Sequence, residues 1–310
     1  MTSPVERAAL VEEARSVIEA GSKSFRFASR LFDRATRERA WLLYSWCRAC
    51  DDIVDGQSLG HGASAVPDPD ARFRFVQAQT EAALAGEAGL GLPFDALRTV
   101  AAECALPRRF IDDHLAGFAR DSASWKPETA DDLLSYCYQV AGAVGCLMAV
   151  IMGVSPEDDE TLDRAADLGI AFQLANIMRD LKEDCANGRC YLPVEWLSQA
   201  GLTRENHLDP VHRDKLVALV ARMGALADAY RASARVGVER LPYRSRWAVL
   251  SAAGIYGAIA EKVVHRGARA WDSRAVVPKT EKLRHVAISA IVASLPPVGA
   301  KRSGLWTRPR

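Results

Sequence analysis

Asp51 and Asp55 stand four residues apart in the stretch WLLYSWCRACDDIVDG, with Asp52 between them, and Asp180 and Asp184 repeat the interval in FQLANIMRDLKEDCANGRCYLP. On a helix that interval sets both carboxylates of a pair on one face, about one turn apart. Each pair falls where an apolar helical run gives out. Like charges so placed repel, and the negative end of the helix dipole adds to the cost. A bound cation would offset it; two solvated helix ends with ordinary surface acids are the plainer alternative. Neighbouring residues favour the cation, because Arg48 precedes Asp51 by a turn, Asn176 precedes Asp180 by a turn, and Gln173 lies a further turn back. Arg179 and Lys182 add positive charge beside the second pair. Carboxylates with an amide oxygen suit a hard cation such as Mg²⁺, which keeps several waters and is completed by phosphate oxygens, and Mn²⁺ accepts the same ligands. Arginine supplies bidentate donors for those phosphates.

Other metal and nucleotide chemistries fail against the letters. No Glu has a His three positions later, as a di-iron helical site requires. H-E-x-x-H, G-x-x-x-x-G-K-[ST] and G-x-G-x-x-G are all absent. Cys47 and Cys50 form a lone C-x-x-C within a helical stretch, without the second ligand pair of a zinc site. Seven cysteines in a chain this long fit a reduced, cytoplasmic protein whose thiols are packing groups. What remains is a helical protein that grips a diphosphate through Mg²⁺ between two acidic helix ends, as prenyl diphosphate chemistry demands.

The elements that must position these residues are helices throughout. Apolar residues recur at three and four residue spacing, which predicts helices over 4–20, 23–31, 35–55, 70–85, 94–104, 107–120, 130–153, 157–184, 212–240, 244–270 and 280–295. The Gly, Ser, Pro and Asp of 57–70 suit a mobile surface loop. No linker or internal repeat divides the chain, so one compact all-α domain is expected over 1–310, with 1–20 and 297–310 as candidate loose tails. Lys and Arg number 40 against 39 Asp and Glu, which removes the field needed for bulk nucleic-acid binding. The uncharged run from Leu133 to Pro156 is long enough to span a bilayer, but the polar start of the run and its charged flanks read as a central buried helix.

Four stretches, GSKSF (21–25), LYSWCRACDDIVD (43–55), YCYQVAGAVG (136–145) and LGIAFQLANIMRDLKEDCANGRCYLP (168–193), resemble the squalene/phytoene synthase family, its bacterial phytoene-forming branch above all. The resemblance covers nearly the whole chain and implies the isoprenoid synthase-like fold, a single-domain helical bundle around a deep central cavity. Carried over by position, it implies that Asp51, Asp52, Asp55, Asn176, Asp180 and Asp184 hold Mg²⁺. It also implies that Ser22, Ser24, Phe25, Tyr44, Arg48, Gln173, Arg179, Tyr256 and Arg274 contact diphosphate or isoprenoid. Tyr136 joins the acids and arginines as a catalytic candidate. Lys23, Tyr138 and Tyr191 are weighed for the site against solvated or core roles.

The implied reaction is the condensation of two geranylgeranyl diphosphates to phytoene through a cyclopropyl diphosphate, without NADPH. Squalene or dehydrosqualene synthesis from farnesyl diphosphate is the runner-up, and a catalytically inactive assembly protein is the alternative of another class. Ser29, one turn after Phe25, hints at room for longer chains. Partners would be isoprenoid diphosphates and later carotenoid-forming enzymes. Peripheral membrane contact is an expectation placed on the basic tail, with Arg302, Leu305, Trp306, Arg308 and Arg310.

Overall fold

The structure, a computed structural model, describes residues 2–21, 23–56, 68–296 and 302–310. Within them lie thirteen α-helices and no strand. In order they are α1 (Pro4–Gly21), α2 (Lys23–Ser29), α3 (Arg34–Asp55), α4 (Pro69–Leu84), α5 (Leu92–Cys104), α6 (Arg108–Ser122), α7 (Ala130–Cys137), α8 (Ala143–Ile151), α9 (Asp159–Ala186), α10 (Val194–Gln199), α11 (Arg213–Gly237), α12 (Tyr243–Arg266) and α13 (Lys279–Ala293). The expected surface loop falls mostly outside the described residues.

Local chemistry sets the ends. Asp33 caps α3 by accepting from the Thr36 N–H at 3.0 Å, Thr129 and Asp132 form a capping box on α7, and Asp158 accepts from the Thr161 N–H at 3.1 Å on α9. At its far end α3 stops on Gly56, whose φ of +61° suits the left-handed cap. The short helix α10 has no counterpart in the sequence expectation, since six residues after Pro193 are too few to show a period.

Helix α9 is the axis of the bundle. Its 28 residues extend about 42 Å and pack on α11, α12 and α8. Leu162, Ala166, Ile170, Leu174, Ile177, Met178 and Leu181 are all buried along it. The helix expected over 130–153 is interrupted by a π-helical turn, Tyr138–Gly142, between α7 and α8. Apolar spacing does not disclose such a turn. There the turn and the start of α8 almost touch α9: a Cβ on Gly169 of α9 would overlap the Ala141 carbonyl, and one on Gly145 of α8 would overlap that of Ala165. Glycine is required at both for steric reasons.

Helices 130–151 and 243–269 are long and apolar enough to cross a membrane, yet 61% and 56% of their most apolar windows are buried inside the fold. Neighbouring helices account for their apolar character. All seven cysteines are free.

Neither terminal segment is loose where it is described. Helix α1 buries Ala14 and Ile18. Residues 302–310 fold back along the first half of α9. Arg302 reaches Asp167 at 2.8 and 3.0 Å, Arg308 lies 2.9 Å from Asp163 and also pairs with Asp159, and Arg310 reaches both Asp159 and Asp163 at 2.9 Å. The Arg308 side chain is 0% exposed. Trp306 donates its N–H to the Tyr230 hydroxyl at 3.1 Å and sets its ring 5.7 Å from Tyr138. The three arginines of the tail on which membrane contact was expected are thus engaged within the fold, with buried Asp163 and Asp167 and with half-exposed Asp159.

Candidate active site at the paired acidic helix ends

Helix α3 turns Leu42, Leu43, Trp46 and Cys50 into the core, and Arg48, Asp51 and Asp55 leave from other sides. Arg48 donates to Asp51 at 2.6 Å and to the Tyr44 hydroxyl at 3.4 Å, its guanidinium 5.8 Å from the Tyr44 ring centre. Phe25 packs on that ring, centres 5.3 Å apart. Asp55 is tied to Arg189, from the loop after α9, at 2.9 Å. Desolvation pushes the Asp51 carboxyl up to about 6, with repulsion from Asp55 and Asp52 adding to it and Arg48 opposing it.

The other acidic end is built by the last turns of α9. Arg179 donates to Asp180 at 2.8 Å, and Arg274 reaches Asp180 at 3.0 Å and also pairs with Glu183. The Asn176 amide donates to Gln173 at 3.4 Å. Asp184 has no ion pair among the described residues. Burial, then repulsion from Asp180, pushes its carboxyl up to about 7.

Helices α6, α7 and α12 close the site. Asp121 on α6 accepts from the Tyr136 hydroxyl at 3.0 Å and from the Tyr191 hydroxyl at 3.2 Å. The Tyr136 and Tyr191 rings stack with centres 4.9 Å apart, and Trp125 lies 5.5 Å beyond Tyr136. Burial pushes Asp121 up to about 7, with Asp55 adding repulsion and Arg189 and the two phenols opposing it. Tyr256 stacks on Phe172, centres 4.1 Å apart, and both Arg48 and Arg179 act on its phenol, so the α3 and α9 ends share one space. Burial raises that phenol above its ordinary value.

The structure thus gathers Phe25, Tyr44, Arg48, Asp51, Asp55, Tyr136, Gln173, Asn176, Arg179, Asp180, Asp184, Tyr191, Tyr256 and Arg274 around the two helix ends. Ser22 lies outside the described residues, as do the side chains of Lys23 and Ser24. Tyr138 does not join the site; its hydroxyl hydrogen-bonds Asp113 and its ring faces the tail. Lys182 is exposed. Ser29 is buried in the contact between α2 and α3, accepting from the Trp41 indole at 3.2 Å. Arg189, Asp121 and Phe172 escaped the sequence reading. Arg189 could have been found, since it sits beside Tyr191 in a stretch already singled out, but nothing in the spacing around Asp121 marks it.

Among the described residues no three His, Cys, Asp or Glu side chains converge closely enough to enclose a metal. Each end offers instead a pair of carboxylates one turn apart, with oxygen as the only donor type. That set fits a hard cation which takes one or two protein carboxylates and fills its shell with water and phosphate, and the unpaired Asp184 beside Asp180 is the site most in need of one. An open surface cleft of about 360 Å³ lies elsewhere, lined by Glu239, Arg240, Arg246, Ser294, Leu295 and Pro296.

Comparison with known proteins agrees with this geometry. The family model described as Squalene/phytoene synthase matches residues 18–281. The chain is 43% identical to the 15-cis-phytoene synthase of Enterobacter agglomerans, covering 94% of this chain and 100% of the relative. It is also 43% identical to that of a Paracoccus species, covering 97% and 98%. Among solved structures, a dehydrosqualene synthase in complex with ligand superposes with a TM-score of 0.84 at 26% identity, over 94% of this chain and 98% of that one. A squalene synthase of Alicyclobacillus acidocaldarius gives 0.75 at 27%, over 86% and 97%.

Proposed function

The chain belongs to the squalene/phytoene synthase family, and from that premise we propose how its residues carry the reaction: a prenyl transfer that joins two geranylgeranyl diphosphates head to head into phytoene, without a reductant. The observation that carries the assignment is a likeness to 15-cis-phytoene synthases that runs almost end to end and spans both acidic helix ends. We place the enzyme in the cytoplasm, with later carotenoid-forming enzymes receiving its product.

Mg²⁺, or Mn²⁺ in its place, held by Asp51, Asp52 and Asp55 at one end and Asn176, Asp180 and Asp184 at the other, would neutralise the diphosphate leaving groups. Arg48, Arg179 and Arg274, which neutralise Asp51 and Asp180 here, are the fork-shaped donors for the phosphate oxygens, and Ser22, Ser24 and Gln173 are further candidate contacts. Loss of the first diphosphate leaves an allylic cation. The double bond of the second molecule attacks it, and loss of a proton closes a cyclopropane that still carries one diphosphate. A second ionisation rearranges that ring, and a second proton loss gives the central double bond of the linear product.

Water would quench either cation, so the chain must supply a dry, polarisable wall. Phe25, Tyr44, Phe172, Tyr256 and Tyr136 provide it, each aromatic face contributing on the order of 0.5–2 kcal/mol to a nearby cation. Tyr136 is suited to accept the departing proton at its hydroxyl oxygen while passing its own proton to Asp121, 3.0 Å behind it.

The test is direct. Purified protein with Mg²⁺ is given geranylgeranyl or farnesyl diphosphate, with and without NADPH, and the hydrocarbon is identified by mass. A C40 product formed without NADPH is expected. A strict NADPH requirement, or strong preference for a C30 product at equal concentrations, would transfer the enzyme to the squalene branch, and no hydrocarbon from either substrate would leave an inactive family member.

A further inference from the structure

Helix α13 is the outermost helix of the fold, and one of its faces is uncovered. Its main neighbour is α12, which holds the inner side through backbone carbonyls: the Trp247 indole donates to Val286 at 2.8 Å, Arg246 to Ala293 at 3.2 Å, and the Tyr243 hydroxyl to Ala290 at 3.2 Å. On the opposite side Leu283, Ile288, Ile291 and Leu295 are 50%, 50%, 66% and 55% exposed, and Ala287 is exposed between them. At 100° per residue Leu283, Ala287, Ile288 and Ile291 fall within an arc of about 140°, and Leu295 follows two residues past the helix end. That is too coherent for scattered surface apolar residues, and a contiguous apolar face of this kind marks a contact.

The charges around the arc say with what. Arg284 stands inside it and Lys279 at its start, while the α13 acid, Glu281, is taken up by Lys262 at 2.8 Å. Beyond the other end, Arg240 and Arg246 share a cleft with Leu295, accompanied by Glu239. Tyr243, 47% exposed, presents an apolar ring with a polar tip beside the same helix. An apolar stripe flanked by cations and an amphipathic aromatic matches the depth profile of an anionic lipid surface, acyl chains below and phosphates above. A symmetric contact with a second copy would set the same cations against themselves.

We propose that this face of α13 seats the protein on an anionic bilayer, the helix lying in the interface plane with Ile288, Ile291 and Leu295 among the acyl chains. The role expected of the C-terminal tail passes to a helix on another face. Location supports it: α12, which α13 covers, also carries Tyr256 of the candidate site and packs with Phe27 of α2 against Val277, so one helix separates lipid from the aromatic wall.

The test uses the full chain and vesicle flotation, which reads binding without turnover, so its failure would leave the proposed reaction untouched. The wild type is expected to float with phosphatidylglycerol vesicles, to bind phosphatidylcholine vesicles weakly, and to be released as salt rises. The double variant Ile288→Glu/Ile291→Glu should bind about tenfold less while keeping its Tm and its turnover of detergent-dispersed substrate, and Ile291→Trp should bind more tightly. Equal binding by wild type and the double variant would overturn the proposal. So would absence of binding to both vesicle types, or a dimer in sedimentation that the double variant converts to monomer.

Discussion

Helix α9 carries acids at four-residue spacing at both of its ends, and the two ends are treated oppositely. At the first, Asp159, Asp163 and Asp167 each have an arginine from the tail, and Asp167, wholly buried, also accepts from Ser233 at 2.6 Å. At the second, Asp180 has Arg179 beside it and shares half-exposed Arg274 with Glu183, and Asp184 has no ion pair among the described residues. A D-x-x-x-D spacing therefore does not by itself announce a metal or phosphate site. What separates the two is whether every acid has a cation of its own: at the first end each has, and the acids are a fastening, whereas at the second Asp184 is left without one.

The largest expected effect breaks the comparison chemically. Asp180→Ala should lower turnover by about 10³-fold or more, because charge stabilisation at the leaving group is worth several kcal/mol, with the helical fold retained. Near wild-type turnover at saturating Mg²⁺ would return the second end to the status of the first. The mirror experiment is Asp167→Ala, which strands Arg302 and should cost about 3 kcal/mol of stability with turnover of the folded enzyme retained; denaturant titration and kcat together check it.

A third experiment sharpens the contrast without turnover. Mg²⁺ with inorganic diphosphate should raise the Tm of the wild type and of Asp163→Ala, and EDTA should reverse it, whereas Asp180→Ala should show no rise. A rise in Asp180→Ala equal to that of the wild type would place the ligand elsewhere.

The smallest effect concerns Asp121. Its folded pKa is raised to about 7, so the contribution it makes is present below the unfolded value near 4 and is lost as pH climbs to 7. Thermal melts from pH 4 to pH 8 should show the wild type losing ground to Asp121→Asn as pH rises. A gap between the two that does not vary with pH would mean Asp121 is ionised throughout.

The helices and the acidic pairs were legible because both are local. Eleven apolar runs locate the long helices to within a few residues, and Asp51, Asp55, Asp180 and Asp184 are marked by their interval together with the Arg, Asn and Gln residues a turn away. What escaped depends on contacts remote in sequence. Asp159, Asp163 and Asp167 show the same interval as the candidate pair Asp180 and Asp184, but their partners are arginines far along the chain. Asp121 acquires its meaning from Tyr136 and Tyr191, 15 and 70 residues away. Tyr138 was weighed for the site because it adjoins Tyr136 in a matched stretch; the π-helical turn begins at Tyr138, and the ring meets Trp306 instead.

The return of the tail onto α9 also has a consequence in time. Arg302 leaves the ribosome well over a hundred residues after Asp167, which at 5–20 residues per second is a delay of about 7 to 27 s. Through that interval Asp167 has no arginine to accompany it into the interior, and α9 cannot settle against α11 with that carboxylate charged. The central helix forms early, but its final seating waits for Arg302 to emerge.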